Sequence, residues 1–246
     1  READRLRGKV VFNVLDVPVR LPDFDLPRLT RQLRSADAVT CISRYTREQV
    51  SQHCGIEPAV IWNPIKPVFR DLAMKVPCPY RFLSASRRSD PNKRSRLWTH
   101  ALQILGISPK QVALAGNEPW WGDYLGVQSD ENLNRLYNSV DFVMVTGLEE
   151  GLCLGVLEAL AAGAIPVLCR DLTTREELLP GTTFPEYLDV EPTPQSVAVF
   201  IGRYLNNAEA MAEMKGRLHA HYLANWRERT SPQGVADRIL HVYKSL

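Results

Sequence analysis

The sequence is short of paired cysteines, clustered histidines and uninterrupted apolar runs, and each shortage closes off a class of protein. Its five cysteines, Cys41, Cys54, Cys78, Cys153 and Cys169, are odd in number and form no CxxC pair. That pattern excludes a disulfide framework or a zinc ribbon and reads as buried thiols of a reducing compartment. Five histidines are scattered, and His219 and His221 stand two apart, which on a helix turns them away from one another. No metal site is expected. Residues 152–169 form the longest apolar stretch, but Glu158 interrupts its middle and Pro166 its end, so it does not read as a membrane span. There is no internal repeat or low-complexity segment. No Lys/Arg cluster alternates with stacking aromatics, so a nucleic-acid partner is not expected. A secretory signal is not read either, and with Arg1 in place of an initiator Met the start is expected to be processed or trimmed.

What is present is an α/β chain of ordinary composition. At 246 residues and 45% hydrophobic it holds one large or two modest packed domains. The net charge of +2 conceals an asymmetry: residues 1–110 carry 20 basic and 10 acidic side chains, and the remainder 10 basic and 18 acidic. A basic first part attracts phosphates, acidic polymers or an anionic membrane surface, or serves as an ordinary solvated face.

The chain is organised around residues 147–171. Residues 141–145 and 165–169 are short apolar runs that predict buried strands. Between them Leu154, Leu157, Leu160 and Ala161 recur at helical spacing, and Gly163 stands where a helix end wants a left-handed residue. The unit is strand, loop, helix, strand. In such a crossover, ligands collect at the carboxyl ends of the strands and the helix N-terminus offers free N–H groups to an anion. The amides of Gly151, Leu152, Cys153 and Leu154 are therefore candidate phosphate donors. Glu150 and Glu158 frame them, roughly 12 Å apart if the rise is helical throughout, which is about the span of a diphosphate with its sugar and ribose. A carboxylate accepts well from vicinal hydroxyls, so one Glu can hold a sugar and the other a ribose. The alternative is that Glu149 and Glu150 are solvated residues favoured by the helix dipole; Glu158, on an otherwise apolar face, fits that alternative less well.

Glu150 and Glu158, separated by seven residues and followed by Ala-Leu-Ala-Ala-Gly-Ala-Ile-Pro-Val, resemble the E-x7-E signature of retaining GT-B glycosyltransferases, family 4 in particular. Two further stretches carry the resemblance in the same order. Arg88-(four residues)-Lys93 is similar to the family's Gly-Arg-x-x-x-x-Lys-Gly loop, whose Arg and Lys clamp the donor diphosphate and neutralise charge on the leaving phosphate. Ser86, Arg87 and Arg94 depart from the small or glycine residues usual there, and Cys153 from a glycine, where its side chain is expected to crowd the sugar and alter donor choice. Residues 129–137 resemble the family's Val-Ser-x-Glu-x-Leu-x-x-Leu-Tyr segment, whose preceding loop lies along the nucleotide base, which singles out the backbone at Val127. The resemblance implies a GT-B-like, Rossmann-type donor domain (residues 67–226) preceded by a reduced or partial Rossmann-like acceptor-side domain (residues 1–66), with a C-terminal helix (residues 227–246) crossing back to the first.

It implies transfer of a sugar from a UDP- or GDP-sugar to a glycan or lipid-linked acceptor with retention, without cofactor or metal. Arg88 and Lys93 would hold the diphosphate, Glu150 would orient the sugar and Glu158 the ribose. The expected place is the cytoplasm, with peripheral contact at the inner membrane face suited to the basic first part. The family's N-terminal glycine-rich loop and acceptor-side histidine have no counterpart here, so a second chain or a further N-terminal region is expected to complete the acceptor site. The rival readings are a non-catalytic nucleotide-sugar-binding module, one half of a two-chain enzyme, and an unrelated doubly wound nucleotide-binding domain.

Taken in order, residues 9–15, 37–43, 59–62, 80–86 and 111–115 predict strands. Asp16, Pro18, Pro22 and Pro27 predict one loop, residues 66–79 a linker and residues 118–126 another loop. In that second loop Trp120 and Trp121 stack on a sugar or base, or pack as a lid. Helices are expected over 29–34, 44–53, 173–179, 193–205, 207–226 and 231–246.

Overall fold

The computed structural model describes residues 9–15, 24–72 and 77–246. Asp16, Pro18 and Pro22 lie outside them, as does the middle of the 66–79 stretch. Contacts divide the chain into two compact units: the residues as far as Pro64 together with Arg229–Leu246, and Ile65–Glu228.

In the first unit β1 (Val11–Val14), β2 (Ala38–Cys41) and β3 (Ala59–Val60) form a parallel sheet in the order β1-β2-β3. Helices α1 (Leu26–Arg34) and α2 (Arg44–Cys54) connect them, and Val14, Leu33, Cys41, Val50 and Cys54 make the core. Helix α1 begins three residues earlier than expected and takes in Pro27. Its first turn has no use for the missing N–H, and Asp25 caps it by accepting from the Arg28 N–H at 2.8 Å. The third strand is two residues long rather than four.

The second unit carries five parallel strands: β4 (Phe82–Ser84), β5 (Val112–Ala115), β6 (Asp123–Gly126), β7 (Phe142–Met144) and β8 (Ile165–Val167), in the order β6-β5-β4-β7-β8. Helices α3 (Ser95–Ile104), α4 (Asp130–Ser139), α5 (Leu154–Ala162), α6 (Arg175–Leu178), α7 (Pro194–Leu205) and α8 (Ala208–Asn225) follow the strands. The last helix of the chain, α9 (Pro232–Lys244), belongs to the first unit. Strand β6 corrects the expected loop at 118–126. It is an edge strand, and Gly122 before it takes φ +153° with no room for a Cβ, which would stand 2.8 Å from the Val112 carbonyl oxygen.

Strands β4, β5, β7 and β8 are buried throughout, which is why they read as apolar runs without alternation. The Phe82 and Phe142 rings stack across β4 and β7 at 5.3 Å. From β4 the chain winds outward through β5 and β6, then returns to place β7 on the other side of β4. The winding therefore reverses between β4 and β7, and the crevice at their carboxyl ends is the place where such sheets hold ligands. Gly163 ends α5 at φ +76°, as its position predicts.

Candidate functional site

Two loops meet at that crevice. After β4 the chain makes a 3₁₀ turn at Pro91–Lys93, capped by Asp90 accepting from the Asn92 N–H at 2.9 Å. Arg94 then adopts the left-handed conformation at φ +49°, alone in this among the described non-glycine residues. For a residue with a Cβ that conformation costs about 1–2 kcal/mol. The side chain supplies the compensation. Its guanidinium holds Asp171 with two bonds of 2.8 and 2.9 Å and donates to the carbonyl oxygens of Thr146 (2.6 Å) and Gly147 (2.8 Å). Asn92 joins the same two loops: its amide donates to the Glu149 carbonyl (2.6 Å) and accepts from the Glu149 N–H (2.8 Å). The loop before α5 is thus sewn to the loop after β4.

This stitching brings Lys93 against Glu150, the two forming a half-buried ion pair. Thr173 fixes the backbone of Glu150 from the other side, accepting from its N–H at 3.0 Å and donating to its carbonyl at 3.1 Å. At Gly147 a Cβ would stand 2.9 Å from Glu150 Oε1, so a larger residue there would push the Glu150 carboxylate aside. A cavity of about 290 Å³ opens here, walled by Ser86, Lys93, Gly147, Glu150, Tyr137 and residues 152–155. Its floor includes the N-terminus of α5, where Cys153 is the N-cap but makes no side-chain cap. Val156 N–H turns back to the Cys153 carbonyl at 3.1 Å. Among the described residues no side chain caps the other N–H groups of this turn, those of Leu154 and Gly155, and both residues line the cavity.

Glu158 lies one turn into α5 and is largely buried. Burial raises its carboxyl above the usual carboxylate range, while the hydrogen bond from Tyr137, 3.0 Å to Oε2, pulls the other way. Burial likewise pushes the Cys153 thiol up to about 12, so it is no thiolate nucleophile. A separate hollow of about 370 Å³ in the first unit is walled by apolar groups such as Val11, Trp62, Val235 and Tyr243 and holds no carboxylate or lysine.

No protein-family model and no curated protein matches the chain. Solved structures do. HepE from Anabaena, in a structure with UDP and glucose, superposes with a TM-score of 0.77 at 15% identity, over 96% of this chain and 71% of that one. Sucrose-phosphate synthase from Thermosynechococcus elongatus does so with 0.75 at 15%, over 99% and 69%. The fold is GT-B. A trehalose-6-phosphate synthase, studied for enzymatic glycosyltransfer with retention, shares it with a TM-score of 0.68 at 13% identity, over 98% of this chain and 70% of that one.

Within the GT-B frame the residues singled out from the sequence fall into two groups. Lys93, Glu150, Leu152, Cys153 and Leu154 wall one cavity, with Gly151 in the same loop, and Glu158 reaches that cavity through Tyr137, which lines it. Arg88 and Val127 do not join them. The expectation that Arg88 pairs with Lys93 needs correcting. Its guanidinium is buried and donates to the carbonyl oxygens of Ser84 (3.2 Å), Ala115 (2.9 Å) and, through Nε, Glu118 (2.8 Å). Val127 follows β6 and is 74% exposed, away from the cavity wall. Helix α5 starts only at Leu154, so Glu150 is not on it and the helical rise does not measure its distance from Glu158. Trp120 is 38% exposed, and its indole donates to Thr99 Oγ1 of α3 at 3.0 Å.

Sequence reasoning missed Asn92, Arg94, Asp171, Thr173 and Tyr137. The departure from glycine at Arg94 was a signal, because a glycine position marks a left-handed backbone. His219 and His221 bond separately to the carbonyl oxygens of Leu160 and Leu178, at 3.1 and 2.9 Å.

Arg94→Gly isolates one part of the stitching. It relieves the left-handed backbone but surrenders the Asp171 pair and two carbonyl bonds, for an expected net loss of about 1–2 kcal/mol. Chemical denaturation measures it, and a stabilised variant would show that the strain outweighs the bonds.

Proposed function

We propose that the chain transfers a sugar from a nucleotide-diphosphate donor, a UDP- or GDP-sugar, to a hydroxyl of a glycan or lipid-linked acceptor, with retention of anomeric configuration. The observation that carries this reading is the convergence of a lysine, a carboxylate and an uncapped helix N-terminus on one cavity at the switch point of a GT-B sheet. Neighbours in fold that hold UDP, or were studied for transfer with retention, support it.

In this reading the diphosphate lies on the α5 amides and Lys93. Glu150 then turns from Lys93 to the sugar hydroxyls, and Glu158 accepts from the ribose. The acceptor oxygen bonds to the anomeric carbon on the face the diphosphate leaves, and the departing phosphate oxygen takes the acceptor proton. No base of the protein is required, and Lys93 with the helix amides supplies the positive field in place of a metal ion. Residues 67–226 form the donor domain, residues 1–66 part of the acceptor side, and residues 227–246 the helix returning to it; a second chain or further N-terminal region completes the acceptor site. The protein works in the cytoplasm, with its basic first part touching the inner membrane face. Among the described residues no helix is long and apolar enough to cross a membrane.

A second reading, a nucleotide-sugar-binding module without turnover, is favoured by one observation: the guanidinium of Arg88 is committed to carbonyls, leaving one cation at the cavity where the resemblance implies two.

Calorimetric titration with UDP, GDP and their sugars tests both. One nucleotide should bind saturably, and Glu158→Ala should weaken it by about 10-fold or more, the loss of a hydrogen bond to a charged group. Binding with no transfer to any acceptor supports the second reading; no binding at all sinks both.

A further inference from the structure

The wall of the cavity contains a residue that the donor reading does not use. Tyr137, on α4, is buried, lines the cavity, and donates from its hydroxyl to Glu158 Oε2 at 3.0 Å. Among the described residues the other carboxylate oxygen accepts no hydrogen bond, so one oxygen is tied and one is open. Burial raises the phenol well above its ordinary value, so it stays a donor at every working pH.

Tyr137 is itself held. The segment 65–72 lies along α4 as a strap: Asn134 accepts from the Arg70 N–H (3.2 Å), Asn138 accepts from the Leu72 N–H (2.7 Å) and donates to the Arg70 carbonyl (2.9 Å). From that strap Phe69 sets its ring edge-on to Tyr137 at 5.8 Å. Lys66 closes the strap's start on Asp130 at 2.6 Å. A buried glutamate on an apolar helix face would otherwise swing between rotamers or take up a proton.

We propose that Tyr137 is a positioning residue: it fixes Glu158 through one oxygen, so that the open oxygen meets the ribose hydroxyls of the donor. The proposal rests on the reading of Glu158 as the ribose acceptor. The strap and α4 serve the site by holding the phenol, at a distance from any reacting atom.

The charged and titratable groups facing Glu158 are few. Asp130 and Tyr137 come from α4, Lys66 from the strap, and Cys153 from the start of α5. Lys66 and Asp130 pair with each other, so their effects on Glu158 oppose. Desolvation raises the carboxyl and the Tyr137 bond lowers it; removing that bond lets it rise further. A carboxylate whose pKa rises loses its charge at a higher pH as pH falls. The acid limb of donor binding therefore moves upward when the phenol is removed.

The test titrates UDP calorimetrically into the full chain, its Tyr137→Phe variant and its Glu158→Ala variant between pH 5 and 8. Protonation of the nucleotide's own phosphate is common to all three and drops out of the differences. The Glu158→Ala profile keeps only the limb of the nucleotide phosphate; beyond that limb the wild type should show a second one, and Tyr137→Phe should bind about 3- to 10-fold more weakly at pH 8 with its second limb displaced to higher pH. A second limb that is present in the wild type and unshifted in Tyr137→Phe would make Tyr137 a packing residue and overturn the proposal alone. Unchanged affinity in Glu158→Ala, or no binding of UDP by the wild type, would overturn the ribose reading and the proposal with it.

Discussion

Arg88→Ala is expected to lower stability by about 3–5 kcal/mol, the scale for stripping one partner from a buried charged network, and to do so whether or not a nucleotide is present. The resemblance places this arginine on the donor diphosphate, and Coulomb's law gives it every reason to go there. Its side chain has other obligations. Arg88 is 3% exposed, and its guanidinium holds carbonyls from the ends of β4 and β5 and from the loop beyond β5. The Ser84 and Ala115 bonds are buried, and each of those oxygens left unsatisfied costs about 1–3 kcal/mol. Burial in turn lowers the pKa of Arg88, since taking a cation out of water disfavours its charged form. Three carbonyl dipoles and the nearby Glu118 carboxylate offset that cost. Arg88→Lys should recover little, because an ammonium cannot reproduce the planar fork that reaches separated carbonyls at once. Thermal and urea unfolding of Arg88→Ala, Arg88→Lys and wild type decide the matter. A fully stable Arg88→Ala that loses nucleotide affinity would return the residue to the diphosphate.

The same residue shows what could be read in advance and what could not. Strands β4, β5, β7 and β8 announce themselves because burial on both faces leaves no polar alternation to confuse with a helix. Helix α5 and its end at Gly163 follow from spacing and a single left-handed requirement. Strand β6 gives no such signal: Asp123 and Tyr124 lie on an edge, partly in water, behind a glycine needed for close approach to β5. At the site, the meeting of Lys93 with Glu150 was legible as two motifs belonging to one family pattern. The bonds that bring them together were not. Arg94 reaches Asp171 and Asn92 reaches Glu149 across loops far apart in the chain, and nothing local demands either pair. Spacing places a Cα on an element; it does not say which of several partners a long side chain will satisfy. Arg88 and Lys93 stand five apart in one loop and end on opposite commitments for that reason.

Lys93→Ala carries the other large expectation, and it falls on turnover: a decrease of about 10²- to 10³-fold in kcat, the range for removing one preorganised donor from developing negative charge. The Lys93 ammonium rests on Glu150, so neither charge is left bare in a half-buried place. In the proposed function, donor binding would exchange that partner for the diphosphate and free Glu150 for the sugar. The exchange makes ground-state binding cheap for the lysine to support only weakly, since it gives up one anion to gain another. The full benefit arrives when the glycosidic bond lengthens and charge moves onto the leaving oxygen. UDP affinity should therefore fall by no more than about 10-fold while kcat collapses, a split that an interaction made only in the transition state produces. Glu150→Gln separates the pair from the other side. It keeps the length of the side chain and its carbonyl acceptor but frees Lys93 from its counter-charge, so UDP should bind at least as tightly as to wild type while sugar transfer slows. Combining the two substitutions should cost less than the sum of their separate effects, because the resting pair they share is lost only once. Equal losses of affinity and turnover in Lys93→Ala would instead make the lysine a ground-state clamp, and a loss below about 3-fold in both would remove it from the site.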